Sequence, residues 1–182
     1  MPRETTVAKK ERAAEIERRM FEHYGEGACS LDYTTPFMLV CAVVLSAQCT
    51  DAAVNKVTPT LAEAYGTPER MAAAHVEDIE EIIHPLGFYH AKARNLVKLA
   101  QMVVADFGGE IPNDIDLLQK LPGVGRKTAN VVVCQAFENP QGIAVDTHVF
   151  RIAHRLNLVG PKADTPARTE AGLLKLYPRH DW

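Results

Sequence analysis

The stretch Phe37-Met-Leu-Val-Cys-Ala-Val-Val-Leu-Ser-Ala47 is apolar at every position except Ser46. It is longer than an ordinary strand of about 5–6 residues and well short of the roughly 18 residues a bilayer span needs. A helix that is apolar on all faces has to be buried on all faces. The rest of the chain must therefore supply amphipathic elements to wrap it. It does so with helical rather than strand periodicity. Residues 8–24 mix charges with Ala13, Ala14, Ile16 and Met20 and stop at Gly25 and Gly27. Residues 89–107 place Leu96, Leu99, Ala100 and Val103 on one helical face before Gly108-Gly109. Further helices are expected over 37–48, from Asp51 with a break or restart near Pro59, after Thr67-Pro68, and over 76–83. Others are expected from Asp114 through Lys120, over 125–137 and 147–157, and from Pro166 to about Tyr177. Alternation with period two over a full strand length is absent, so the fold class is all-α with short connections.

The composition of the 182 residues, 47% hydrophobic and 24% charged, excludes a disordered, collagenous or low-complexity chain. Arg3, Lys9, Lys10 and Arg12 are not followed by an apolar stretch, which argues against a secretory leader. Cys29, Cys41, Cys49 and Cys134 are widely spaced with no CxxC pair. They read as reduced thiols of a cytosolic protein, not as a disulfide framework or a zinc site. The formal net charge of −3 hides an alternation. Residues 60–84 are acidic, whereas Lys92, Arg94 and Lys98 lie in a stretch without acids. Residues 104–119 are acidic again, and the segment 120–162 sets Lys120, Arg126, Lys127, Arg151, Arg155 and Lys162 against only Glu138 and Asp146. Basic stretches that meet in space make a footprint for phosphates; dispersed ones are ordinary solvated faces.

Leu121-Pro-Gly-Val-Gly125 sits between two helical patterns, and the second begins at once with Arg126-Lys127-Thr128. Two glycines one residue apart permit positive φ and leave backbone N–H groups uncovered. With the positive end of the following helix they form a site for an anion such as a DNA phosphate, though an isolated Gly-x-Gly is also an ordinary tight turn. Lys127 falls in the first turn beside Arg126. Neighbouring positive charge disfavours an ammonium ion, and a neutral amine is a nucleophile able to form a Schiff base. Asp146 follows Ile143-Ala-Val145 and precedes a helical pattern. It suits a helix N-cap and equally a carboxylate that stabilises a sugar cation or moves a proton.

Leu121-Pro-Gly-Val-Gly-Arg-Lys-Thr-Ala-Asn-Val-Val132, followed by Ile143-Ala-Val-Asp-Thr-His148-Val-Phe-Arg151, resembles the endonuclease III family of helix-hairpin-helix DNA glycosylases. Leu45-Ser-Ala-Gln-Cys-Thr-Asp51 with Val54-Asn-Lys56, and Leu86-Gly-Phe-Tyr-His-Ala-Lys-Ala93, extend the likeness in the same order. It runs from about residue 15 to residue 178.

The resemblance implies two helical lobes with DNA across the cleft between them. One is a helical barrel over residues 29–140 containing the hairpin; the other combines residues 1–28 and 141–182. It implies a bifunctional enzyme of base excision repair that removes oxidised pyrimidines and nicks the abasic site by β-elimination. Lys127 is then the nucleophile and Asp146 the catalytic acid, facing it from the other lobe. The damaged base leaves the stack to be reached. Gln48 and Phe88 match positions that fill the vacated space; read alone, Gln48 is a helix-surface amide and Phe88 a core aromatic. His148 is either a backbone contact near the lesion or a structural histidine. Gly123, Val124, Gly125 and Thr128 belong to the hairpin's DNA contacts, and Lys92 and Arg126 look like phosphate contacts.

The family also implies a [4Fe–4S] cluster held by four clustered cysteines after the last helix. None of the four cysteines here has that spacing, so no cofactor is expected in this chain. The cluster is expected only where such a C-terminal region follows, and Tyr177-Pro-Arg-His-Asp-Trp182 reads as a C-terminal truncation. The expected partner is double-stranded DNA with damaged pyrimidines or abasic sites, met by a monomer at the nucleoid in the cytoplasm, with no membrane. Two other functions fit parts of the pattern. A monofunctional mismatch glycosylase lacks the lysine at the position of Lys127, and a non-catalytic DNA-binding module needs neither Lys127 nor Asp146.

Overall fold

In the computed structural model, residues 4–25, 27 and 29–182 are described. Arg3, of the N-terminal basic group, and Ala28, the last residue of the expected first segment, lie outside the described residues. The order of elements is α1 (Thr6–Tyr24), α2 (Pro36–Leu45), α3 (Asp51–Tyr65), α4 (Pro68–Ala72) and α5 (Val76–Ile83), then α6 (Tyr89–Phe107), α7 (Ile115–Leu118), α8 (Arg126–Phe137), α9 (Thr147–Arg155) and α10 (Pro166–Leu173). A short 3₁₀ turn, Arg179–Asp181, follows, and no strand occurs among the described residues. The all-α expectation holds.

The chain divides into two units, Cys29–Asn139 and the pair of segments Met1–Ala28 and Pro140–Trp182. Pro140 thus belongs with the C-terminal segment, one residue earlier than the expected boundary; Arg179 Nε donates to its carbonyl at 3.0 Å.

In the unit Cys29–Asn139, α2 is the centre. Every residue from Phe37 to Leu45 is buried, and α3, α6 and α8 pack on it. Thr35 caps α2 through its hydroxyl, which accepts from Met38 N at 3.1 Å, and Pro36 occupies the first turn, where its missing N–H costs nothing. The helix stops at Leu45 rather than at residue 48 because Gln48 adopts φ 56°, a left-handed conformation that no helix continues. Pro59, expected to interrupt α3, sits inside an unbroken helix. Proline in a helix interior costs about 3 kcal/mol. Burial of Val54, Val57 and Leu61 on the inner face of α3 outweighs it, at roughly 1.5–3 kcal/mol for each large side chain. α7 also ends earlier than expected, at Leu118, where the chain turns into the hairpin.

The unit built from both termini has a smaller core. Among the described residues its buried apolar side chains are Ala13, Val145, Ala153, Leu158, Val159 and Leu173. Polar links supplement them. Arg12 donates from Nη1 to the Leu156 carbonyl at 2.6 Å and from Nη2 to that of Asn157 at 3.3 Å, closing the C-terminal end of α9, while Glu4 holds the same guanidinium. α9 ends at Arg155, before the expected residue 157, since Asn157 takes φ 51°. α10 ends at Leu173; Leu176 and Tyr177 both bond back to the Leu173 carbonyl in a turn.

Candidate active site and nucleic-acid interface

The hairpin is built on a tight turn. Val124 N donates to the Leu121 carbonyl at 3.1 Å, with Pro122 and Gly123 at the corner and φ of 82° at Gly123, the arrangement a type II turn requires. Leu121 and Val124 are buried and anchor the turn from inside. A Cβ at residue 123 would also lie 3.2 Å from Val44 Cγ1 and 3.3 Å from Asn95 Nδ2, so the turn presses against α2 and α6. This corrects the expectation for Val124. Its side chain is in the core and its N–H closes the turn, leaving neither for DNA. The exposed N–H groups of Gly123 and Gly125 bond to no described residue.

Gly125 is the N-cap of α8 and supplies no side-chain cap. Ala129, Val132 and Val133 turn the inner face of α8 to the core, leaving Arg126 and Lys127 exposed in the first turn. Arg126 lies 3.7 Å from Asp116 in a loose exposed ion pair, of a kind worth about 0–1 kcal/mol. The Lys127 Nζ has no hydrogen bond or ion pair to any described residue. An uncapped helix start, two unpaired glycine amides and two cations on one exposed turn make an anion site with an amine at its rim. Thr128 is half-buried directly behind it.

α2 and α6, on which this turn presses, carry Gln48 just after one and Phe88 just before the other. Gln48 is exposed in the turn after α2, not on a helix surface. Phe88 is 67% exposed with φ 60°, directly before α6, so the core-aromatic reading is overturned. Both hold left-handed backbone, uncommon for a glutamine and an outlier for a phenylalanine. Such conformations persist only where surroundings over-determine them, and they gather at ligand sites. Lys92 differs from expectation. It is only 5% exposed, and its Nζ donates to Cys49 Sγ at 3.0 Å instead of reaching open surface.

In the terminal unit, Asp146 caps α9. Its Oδ1 accepts from Val149 N at 2.7 Å, while Oδ2 bonds to no described residue. The half-buried carboxylate is thus fixed by one oxygen and free at the other. His148, two residues on, is exposed, and Arg151 Nη2 approaches its Nδ1 at 3.4 Å.

Comparison with known proteins decides what this arrangement belongs to. Residues 41–179 match the model for the HhH-GPD superfamily base excision DNA repair proteins. The chain is 47% identical to endonuclease III of Synechocystis sp., covering 97% of this chain and 80% of that one. It is 50% identical to endonuclease III of Bacillus subtilis, covering 90% and 72%. Its fold matches a trapped endonuclease III–DNA covalent intermediate with a TM-score of 0.89 at 46% identity, over 95% of this chain and 80% of that one. The chain belongs to the endonuclease III branch of the HhH-GPD superfamily. As a member of that branch it is a DNA glycosylase and abasic-site lyase of base excision repair, and the mismatch-glycosylase and binding-module readings fall away.

The cysteines of this endonuclease III relative do not fit the iron–sulfur cluster implied by the resemblance. Cys41 is fully buried in α2, where burial pushes its thiol up to about 12, and Cys49 is engaged by Lys92. Among the described residues no group of three or more His, Cys, Asp or Glu is placed to hold a metal ion. No helix there is long and apolar enough to cross a membrane.

Proposed function

We propose that this enzyme removes oxidised pyrimidines from double-stranded DNA, acting as a monomer at the chromosome in the cytoplasm, with Lys127 as nucleophile and Asp146 as catalytic acid. The observation that carries the reading is the exposed, unpaired Lys127 amine on the first turn of α8, at the edge of the Gly123–Gly125 turn. In this reading the turn amides and Arg126 hold a phosphate beside the lesion, and the deoxynucleotide is rotated out of the stack. The Lys127 amine attacks C1′ as the C1′–N bond to the base breaks, and the base leaves with a proton. The free Oδ2 of Asp146 stabilises the positive charge that develops on the sugar, a role for which the Val149 N–H fixes the carboxylate in place. Opening of the sugar ring gives a Schiff base on Lys127. Loss of a proton from C2′ then expels the 3′ phosphate, and water releases the lysine. Gln48 and Phe88 occupy the space the base has left, their exposed side chains projected by left-handed turns. His148 contacts the backbone near the lesion.

The test is a panel of duplexes carrying thymine glycol, an A·G mismatch or no lesion, with base release and strand nicking scored separately. The parent releases thymine glycol and nicks the product. Lys127→Ala loses nicking altogether, and Asp146→Asn loses about 10²–10⁴-fold in rate, the usual contribution of a positioned acid or base. Preference for the mismatch, or nicking that survives Lys127→Ala, overturns the assignment.

A further inference from the structure

The contact between Lys92 and Cys49 is chemically unusual. A lysine inside a protein is ordinarily paired with a carboxylate. Here the Nζ of a lysine only 5% exposed is aimed at a cysteine sulfur 3.0 Å away, and that sulfur is its one hydrogen-bond partner among the described residues. Cys49 is half-buried, so small solutes reach it, while Lys92 approaches from the interior. The other cysteines lack this combination. Cys41 is fully buried with its thiol pushed up to about 12, which removes the thiolate that oxidants attack. Among the described residues Cys29 bonds to the Leu31 carbonyl alone, at 3.8 Å, and no lysine bonds to Cys134. A nitrogen nucleophile and an accessible sulfur are thus held together at one place.

We propose that Cys49 and Lys92 form an oxidation-sensitive pair, in which hydrogen peroxide converts Cys49 to a sulfenic acid and Lys92 condenses with it to a sulfur–nitrogen link. In the first step the sulfur attacks one peroxide oxygen. The S–O bond forms, the O–O bond breaks, and the other oxygen takes the thiol proton and leaves as water. Sulfur is oxidised by two electrons and peroxide reduced by two. In the second step the Lys92 nitrogen, as the neutral amine after yielding any ammonium proton to solvent, attacks sulfur, the N–S bond forms, and the S–O bond breaks. The oxygen departs as water with one proton from the nitrogen. Condensation of a sulfenic acid with a nearby nitrogen is established cysteine chemistry. The product joins the loop that presents Gln48 to α6, directly beyond Phe88. It also shields Cys49 from irreversible oxidation to the sulfinic acid, and excess thiol reverses it by attack on sulfur.

The experiment uses the full chain treated with a modest excess of hydrogen peroxide, digested with trypsin without reductant and read by tandem mass spectrometry. The expected product is a pair of peptides joined at Cys49 and Lys92, lighter than their sum by two hydrogen atoms, uncut after Lys92 and separated again by dithiothreitol. Cys49→Ser abolishes it. Lys92→Arg, which keeps a long basic side chain but removes the primary amine, leaves Cys49 at the sulfenic or sulfinic stage. Recovery of Cys49 in the parent as thiol or sulfinic acid with normal cleavage after Lys92 overturns the proposal, as does a link that retains oxygen.

Discussion

The unit Cys29–Asn139 is organised around one helix buried on every face, whereas the unit from the two termini is held by a short list of apolar contacts and by polar links. In the first, Met38, Leu39, Val40 and Leu45 of α2 are almost wholly excluded from solvent. In the second, Met20, Phe21, Tyr24, Ile152 and Leu156 keep large exposed areas, and α1 carries ion pairs from Arg18 and Arg19 to Glu15. The first design suits the placement of the hairpin, because a turn pressed on a rigid core holds an amine to a fraction of an ångström. The second fixes its candidate acid by a local device, the Asp146 cap on α9. One unit positions by burial and the other by capping, and they should fail differently when perturbed.

The largest effect on stability is expected from Leu39→Ala, fully buried in α2. A deletion there costs about 2–5 kcal/mol, and urea unfolding should show it as a lowered midpoint. A cost near zero would mean that α2 is not the organising element. Next comes Gly123→Ala. It combines a φ of 82° with a Cβ only 3.2 Å from Val44 Cγ1, so about 1–3 kcal/mol is expected, together with a fall in lyase rate as α8 shifts. An unchanged rate with lowered stability would separate turn geometry from catalysis. In the terminal unit Arg12→Ala frees the Leu156 and Asn157 carbonyls at the end of α9. About 1 kcal/mol is expected, seen as faster hydrogen exchange around residues 156–158 with the α2 amides unaffected. Spread of the effect into α2 would erase the distinction between the two units.

The smallest effect concerns acid. Glu15 is held down to about 2 by hydrogen bonds from Arg18 and Arg19, below the ordinary glutamate value. A group whose folded value is depressed contributes above its unfolded value, about 4.3, and that contribution is lost as pH falls through the folded one. The Glu15 side chain is 41% exposed and its ion pairs are screened by solvent, so Glu15→Gln should flatten the acid limb of a melting-temperature profile between about pH 4 and pH 2 only slightly. It should do so at low salt and not at high salt. A large change that survives high salt would show that α1 depends on a buried charge.

Much of this was legible in the chain itself. The apolar stretch from Phe37, the Thr67-Pro68 and Pro166 starts, and the Asp146 cap are local signals that the structure obeys. The order of motifs around Lys127 likewise pointed to the family before any packing was known. What was not legible depends on packing. Pro59 looked like a break because local cost is visible in sequence and compensating burial is not. The helix end at Leu45 is overrun because nothing local marks Gln48 as left-handed, whereas at Arg155 the signal is present in Asn157, a residue type that favours that conformation. Lys92 looked like a surface cation because its burial is decided by the fit of α6 against the loop holding Cys49.

The central claim is that Lys127 is the nucleophile, and it can be read on the atom. The protein is incubated with an abasic-site duplex and sodium borohydride, the covalent complex is digested with nuclease and protease, and the adduct is located by tandem mass spectrometry. A reduced sugar remnant on the Lys127 side-chain nitrogen is the predicted result. The same remnant on another lysine or on the N-terminal amine, with Lys127 unmodified, would contradict the account.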